Sequence, residues 1–254
     1  MQKKIRSGLL GVIGIKVGSS SLVTEKGRVR ESVIRSQAKQ AKGLMERGYG
    51  IFIVASGAVA CSGGKSRSRN LRAAIGQVRI MNHYAKAFRK CGIEVAQALL
   101  TDREIRSENS SQIRLTLHEA FMEGVVVIIN ANDVIDNEEL NALEFCADND
   151  RLFGAVCKIT AADHGIIVFN EAGFHDDSGK IIHEIHCSEA GDFLAFADGG
   201  NKLGHGDRGM ATKLEVLCDL ARNGIGATLV SAAEKDFMTR ALAQEEGFGT
   251  RFLE

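Results

Sequence analysis

Proline is absent from all 254 residues. Ordinary usage near 5% would supply about 13, so a proline-rich spacer or polyproline segment is excluded. The turns must instead be specified by the 28 glycines and by Asn and Asp. No apolar run reaches the eighteen or more residues of a membrane-spanning helix. The start, Met1 to Ser7, is basic but leads into a glycine-broken run rather than a signal peptide. A soluble, cytoplasmic protein without membrane contact is expected. An excess of either charge is missing too: 32 Lys plus Arg face 32 Asp plus Glu. No overall field therefore draws the chain to nucleic acid or an anionic surface.

The six cysteines include no C-x-x-C pair, as expected of reduced thiols. His183, His186 and Cys187 lie close in sequence but lack a partner cluster, so no protein metal site is expected.

What is present is an alternation of strands and helices. Apolar, β-branched runs recur at Leu9 to Ile15, Ile51 to Ala55, Ile93 to Leu100, Val125 to Ile129, Ile166 to Phe169 and Ile225 to Val230. Continuous apolar strands imply a sheet covered on both faces. Between them the period becomes helical. Val33, Ile34, Ala38, Ala41 and Met45 make one expected core stripe, and Leu71, Ala74, Ile75, Val78, Met81, Ala85 and Phe88 make a second. Met210, Leu214, Leu217 and Ala221 form a third, which stops at Asn223-Gly224. Glu171 to Ile185 reads as a turn-rich hairpin or insertion rather than a helix, and Gly191 to Arg208 as a mobile glycine-rich segment. The fold class expected is α/β, a three-layer αβα sandwich around a mainly parallel sheet, in one domain over 1–254. In such a fold, ligands sit beyond the carboxyl ends of the strands.

Those strand ends carry the polar motifs. The first runs into Lys16-Val17-Gly18-Ser19-Ser20-Ser21, where glycine lets backbone amides approach an anion and lysine supplies a point charge. The spacing is not that of a Walker A loop, and a plain tight turn also fits. The second strand ends in Ala55-Ser56-Gly57-Ala58, which fits either ligand contact or close helix–sheet packing. The fourth ends in Asn130-Ala131-Asn132-Asp133, and Asp148-Asn149-Asp150 opens a later helix. Single clusters of this kind are usually turn formers or N-caps. Two together offer amide donors and carboxylates to a zwitterion. Gly204 to Lys213 is a glycine-rich loop feeding a helix, with Lys213 expected one turn inside it. It contains G-x-G-x-x-G, but no strand precedes it, so nucleotide phosphates suit it better than a dinucleotide.

In this order, and with Ala73-Ala74-Ile75-Gly76-Gln77 and Gln97-Ala98-Leu99-Leu100-Thr101 between them, the motifs resemble the catalytic domain of glutamate 5-kinases from about residue 11 to 232. The resemblance implies an amino-acid kinase fold that transfers the γ-phosphoryl group of ATP to the side-chain carboxylate of glutamate, the first step toward proline. It assigns catalysis to Lys16, Lys213 and Asp150, and acceptor binding to Ser56, Gly57, Asn130, Asp133, Asp148 and Asn149. Nucleotide binding falls to Lys16, Gly18, Ser19, Phe169, Asn170, Gly206, Asp207, Arg208, Gly209, Met210 and Lys213. Acceptor binding belongs to about 1–160 and nucleotide binding to about 161–254, with magnesium carried by the nucleotide. A dimer or tetramer is implied, with glutamyl-phosphate reductase as a functional partner; the family's common C-terminal RNA-modification-type domain is expected to be missing here, as in its shorter members.

The departures lie mostly on the nucleotide half. Phe169-Asn170 replaces Thr-Asp, Gly173-Phe174-His175 replaces Gly-Leu-Tyr, and Gly206-Asp207-Arg208-Gly209-Met210 replaces Gly-Thr-Gly-Gly-Met. On the acceptor half, Ala131 stands where the family has glutamate. Two alternatives therefore accompany the reading: a weakened regulatory paralogue that binds an acidic amino acid, or a kinase for a related acidic amino acid.

Overall fold

The computed structural model describes residues 8–64, 66–106, 109–135, 148–176, 178–193 and 207–254, with the backbone alone at Asp207 and Arg208. Strands β1 (Gly11–Val17), β2 (Tyr49–Ala55), β3 (Glu94–Leu100), β4 (Val125–Ala131), β5 (His164–Phe169) and β9 (Gly226–Ser231) run parallel in one sheet. The sheet is extended by β10 (Thr250–Leu253), antiparallel to β9, and by β8 (Glu184–His186), parallel to β10. Its order is β3-β4-β2-β1-β5-β9-β10-β8. The chain first builds leftward from β1 and then crosses to place β5 on the other side. That reversal opens a crevice at the carboxyl ends of β1, β2 and β5.

Helices cover both faces. On one side lie α2 (Glu31–Met45), α4 (Arg69–Arg89) and α9 (Phe237–Leu242), whose buried residues join Ile13, Ile15 and Val17 of β1. On the other lie α6 (Asn109–Met122), α7 (Asn149–Thr160) and α8 (Asp207–Arg222), which pack with Val12, Phe52 and Val54. The short α1 (Ser19–Leu22), α3 (Ala58–Cys61) and α5 (Asp102–Arg106) follow β1, β2 and β3. Of the hairpin or insertion expected over 171–185, the described residues form a hairpin, β6 (Phe174–His175) against β7 (Ile181–Ile182), while Glu184 and Ile185 belong to β8. The stripe on α8 is buried at Leu214, Leu217 and Ala221, and the chain turns at Gly224, where φ is +70°.

The stripe expected on α4 is corrected in part: Phe88 is buried and Met81 packs against the core as expected, but the rest of the face is turned. Leu71 and Val78 are exposed, at 49% and 62%, while Ala73, Gly76, Gln77, Ile80, Tyr84, Ala87 and Phe88 face inward. The helix is turned by close packing: a Cβ on Gly76 would lie 1.8 Å from the carbonyl oxygen of Ala58. A residue without a side chain must therefore face α3 there, and Tyr84 can be buried because its hydroxyl donates to Gln37 Oε1 at 3.0 Å.

One further expectation changes, and another falls largely outside the described residues. Helix α8 spans Asp207–Arg222, so Gly209 and Met210, expected in the loop, are helical, and Lys213 lies in the second turn, about one turn inside as expected. The mobile segment expected over 191–208 falls largely outside the described residues; 191–193 are helical.

Candidate active site

Strand parity decides where Lys16 points. Successive side chains of a strand alternate between faces, so Lys16 shares the face of Val12 and Gly14, toward α7. Gly14 has no side chain, and a Cβ there would stand 3.0 Å from both Phe153 Cε2 and Cys157 Sγ of α7. This close approach brings the first turn of α7 over the end of β1. Asp148 caps that helix, its Oδ1 accepting from the Asp150 backbone N–H at 2.8 Å. Asp150 is thereby fixed above Lys16.

The contact is direct. Lys16 Nζ lies 2.5 Å from Asp150 Oδ1, and Lys213 Nζ donates to Asp150 Oδ2 at 3.0 Å. The side chains of Lys16 and Asp150 are only 6% and 3% exposed. Lys213 arrives through a second close approach: a Cβ on Gly154 of α7 would meet Val216 Cγ1 of α8 at 2.9 Å. The lysine also donates to its own helix at Gly209 O, 2.9 Å away. Two ammonium groups on one buried carboxylate leave a surplus positive charge at the mouth of the sheet. Such a surplus is costly to bury unless an anion completes it.

A cleft of about 690 Å³ opens beside this triad. On its other wall Ser56 continues the parity of Phe52 and Val54, and its Oγ accepts from Asn149 Nδ2 at 2.9 Å. Asn149 Oδ1 is buried and, among the described residues, has no hydrogen-bond partner. Gly57 turns the chain from β2 into α3 with φ +97°, a conformation that favours glycine. Asn130 Oδ1 accepts from the Ala131 N–H at 2.9 Å, and Asp133 Oδ1 accepts from Arg69 Nη2 at 3.1 Å.

All six expected acceptor residues line this cleft, as do Lys16, Gly18, Ser19, Phe169 and Lys213 of the expected nucleotide set. Asn170 does not; its Oδ1 accepts from Ser21 Oγ at 3.0 Å, beside a separate depression of about 450 Å³. Gly209 accepts from Lys213, and Met210 packs against the core. Gly206 lies outside the described residues, as do the side chains of Asp207 and Arg208. Sequence reasoning missed Arg69 and Arg72, which also line the cleft. The basic run Lys65, Arg67, Arg69, Arg72 at the start of a helical period was the available signal. Among the described residues, no group of three or more His, Cys, Asp and Glu is placed to hold a metal.

A model described as "Amino acid kinase family" matches residues 12–231. The glutamate 5-kinase of Dehalococcoides mccartyi (strain ATCC BAA-2266 / KCTC 15142 / 195) is 33% identical over 259 residues, covering 95% of this chain and 68% of its own. The glutamate 5-kinase of Chlorobaculum tepidum is 28% identical over 254 residues, with 95% and 68% covered. The chain thus spans about two thirds of the length of these relatives. Among solved structures, carbamate kinase from Giardia lamblia bound to AMP-PNP superposes with a TM-score of 0.66 at 16% identity, covering 96% of this chain and 98% of that one. N-acetylglutamate synthase from Neisseria gonorrhoeae, complexed with coenzyme A and N-acetyl-glutamate, reaches 0.72 at 12% identity, with 98% and 61% covered. At such identities the likeness is one of fold.

Proposed function

The chain belongs to the amino acid kinase family and is a phosphotransferase, and from that premise we propose that it transfers the γ-phosphoryl group of ATP to the side-chain carboxylate of L-glutamate. The product is glutamyl 5-phosphate, which feeds proline formation. The observation that carries this reading is the Lys16–Asp150–Lys213 arrangement at the end of β1, facing a cleft walled by amide and carboxylate side chains.

In this mechanism Lys16 and Lys213 hold negative charge on the transferring group, and Asp150 fixes both ammonium groups beforehand. An oxygen of the acceptor carboxylate attacks the γ-phosphorus, the bond to the β-phosphate oxygen breaks, and ADP leaves. The nucleophile is ionised at neutral pH, so no general base is needed. Positioning and electrostatics supply most of the rate in phosphoryl transfers of this kind. Asp150 is already engaged by two lysines, so magnesium is assigned to the nucleotide, where it would neutralise phosphate charge. The orphan Oδ1 of Asn149 suits the acceptor's ammonium group. Acceptor binding is thus assigned to the 1–160 part of the chain and nucleotide binding to the 161–254 part.

The test is ATP turnover with glutamate, aspartate and N-acetylglutamate, trapping acyl phosphate with hydroxylamine. Hydroxamate from glutamate is expected; turnover of another acid alone would move the reading to that substrate. A second reading, a regulatory paralogue, is favoured by Phe169 at the cleft and by Asn170 tied to Ser21. Calorimetry separates it: glutamate binding without any ATP binding at millimolar nucleotide replaces the kinase reading.

A further inference from the structure

We propose that Arg72 determines acceptor specificity by taking the α-carboxylate, so that the cleft selects amino acids with two carboxylates; this rests on the acceptor reading above. Arg69 and Arg72 stand three residues apart in the first turn of α4, on one face of the helix. Their surroundings differ. Arg69 is ion-paired with Asp133 at 3.1 Å. Arg72 Nη2 donates to the carbonyl of Val59 at 3.1 Å and its Nε to Ser62 Oγ at 3.3 Å. Both acceptors are neutral, and among the described residues Arg72 makes no ion pair.

Every other cation named on the cleft wall has a carboxylate: Lys16 and Lys213 share Asp150, and Arg69 has Asp133. Arg72 is half-buried in that wall and held by two bonds from one side of its fork. A guanidinium has five N–H donors in a plane that matches a carboxylate in bidentate fashion. The donors not engaged by Val59 and Ser62 are thereby oriented in advance toward an anion. Asn149, also on the cleft, has a buried Oδ1 that finds no donor among the described residues. One cation without a carboxylate and one acceptor without a donor together complement a carboxylate and an ammonium, the two ends of an amino acid's α-carbon. Lys16 and Lys213, gathered on Asp150, are left for the reacting carboxylate and the phosphoryl group. An acceptor without the α-carboxylate would leave Arg72 desolvated and without a counter-charge.

The experiment compares glutamate with 4-aminobutanoate, which keeps the ammonium and the reacting carboxylate but lacks the α-carboxylate. The readout is the ratio of kcat/KM for the two in wild type, Arg72→Gln and Arg72→Lys, with folding checked by thermal melting. Arg72→Gln is expected to collapse the ratio by about 10- to 100-fold, mainly through KM for glutamate, as loss of a charge-assisted hydrogen bond predicts. Arg72→Lys should restore part of it. A ratio unchanged in Arg72→Gln, with both substrates losing turnover together, would make Arg72 structural and overturn the proposal while leaving the kinase reading intact. Aspartate against 3-aminopropanoate provides the same comparison for a shorter acid. If wild type phosphorylates neither dicarboxylate, the kinase reading fails separately, and calorimetric affinities for glutamate and 4-aminobutanoate decide on Arg72: equal values overturn the proposal.

Discussion

Gly14 in β1 and Phe153 in α7 meet where no side chain fits at position 14: a Cβ there would stand 3.0 Å from the Phe153 ring, and 2.5 Å from Phe52 Cζ. The triad depends on this contact, because the turn that carries Asp150 lies directly before Phe153. Gly14→Ala is expected to destabilise the fold by about 1–3 kcal/mol through overpacking. It should also lower turnover more than the lost stability explains, by displacing Asp150 from Lys16. Urea denaturation together with kcat at saturating substrates separates the two effects; full turnover in a destabilised variant would uncouple packing from the site.

Removing either lysine acts on the transition state. Lys16→Ala and Lys213→Ala should each lower kcat by on the order of a hundredfold or more, with the fold retained. Circular dichroism and steady-state kinetics make the check, and unchanged turnover in both variants removes the proposed role.

Asp150→Ala leaves Lys16 and Lys213 facing each other without their carboxylate. Breaking a buried ion pair in this way costs about 3–5 kcal/mol, and an anion can repay part of it. The melting temperature of the variant should therefore rise more with added ATP than that of wild type. Equal ligand-induced shifts would show that the surplus charge is not what the nucleotide satisfies.

Asn149→Ala deletes both the bond to Ser56 and the orphan acceptor on the cleft. It should weaken glutamate binding by roughly 1–3 kcal/mol and ATP binding less. Calorimetry that finds the reverse order would exchange the roles assigned to the two halves of the cleft.

His164 at the start of β5 gives the fold an acid sensitivity. Burial pushes its pKa down from 6.5 to about 4, with nearby Asp163 opposing, and its Nε2 lies 2.9 Å from Thr228 Oγ1. Between those pH values the unfolded chain holds the proton and the folded chain does not. Stability is thus fully present above pH 6.5 and is lost as pH falls toward 4, by at most roughly 3 kcal/mol at about 1.4 kcal/mol per pH unit. Denaturation midpoints of wild type and His164→Asn across this range provide the measurement; parallel curves would exclude His164 as the source.

The six parallel strands were legible in the sequence because continuous apolar, β-branched runs have few other uses, whereas the short β8 and β10 were not; Gly173 and Asp177-Ser178-Gly179 marked a hairpin or insertion after β5. The polar motifs at strand ends were legible for a similar reason: lysine, glycine and hydroxyl residues directly after an apolar strand have no place in a core. What pattern could not supply was the rotation of α4. Counting hydrophobicity favours Leu71 and Val78, whereas the contact between Gly76 and Ala58 turns the small residues inward. Nor does the linear chain give the pairing of residues 16, 150 and 213. Composition and order determined the layered α/β fold and the residue types at its crevice; only tertiary packing, through close approaches at Gly14 and Gly154, decided that one carboxylate would hold two lysines, and only the fold places Arg72 on the cleft wall, with no ion pair among the described residues.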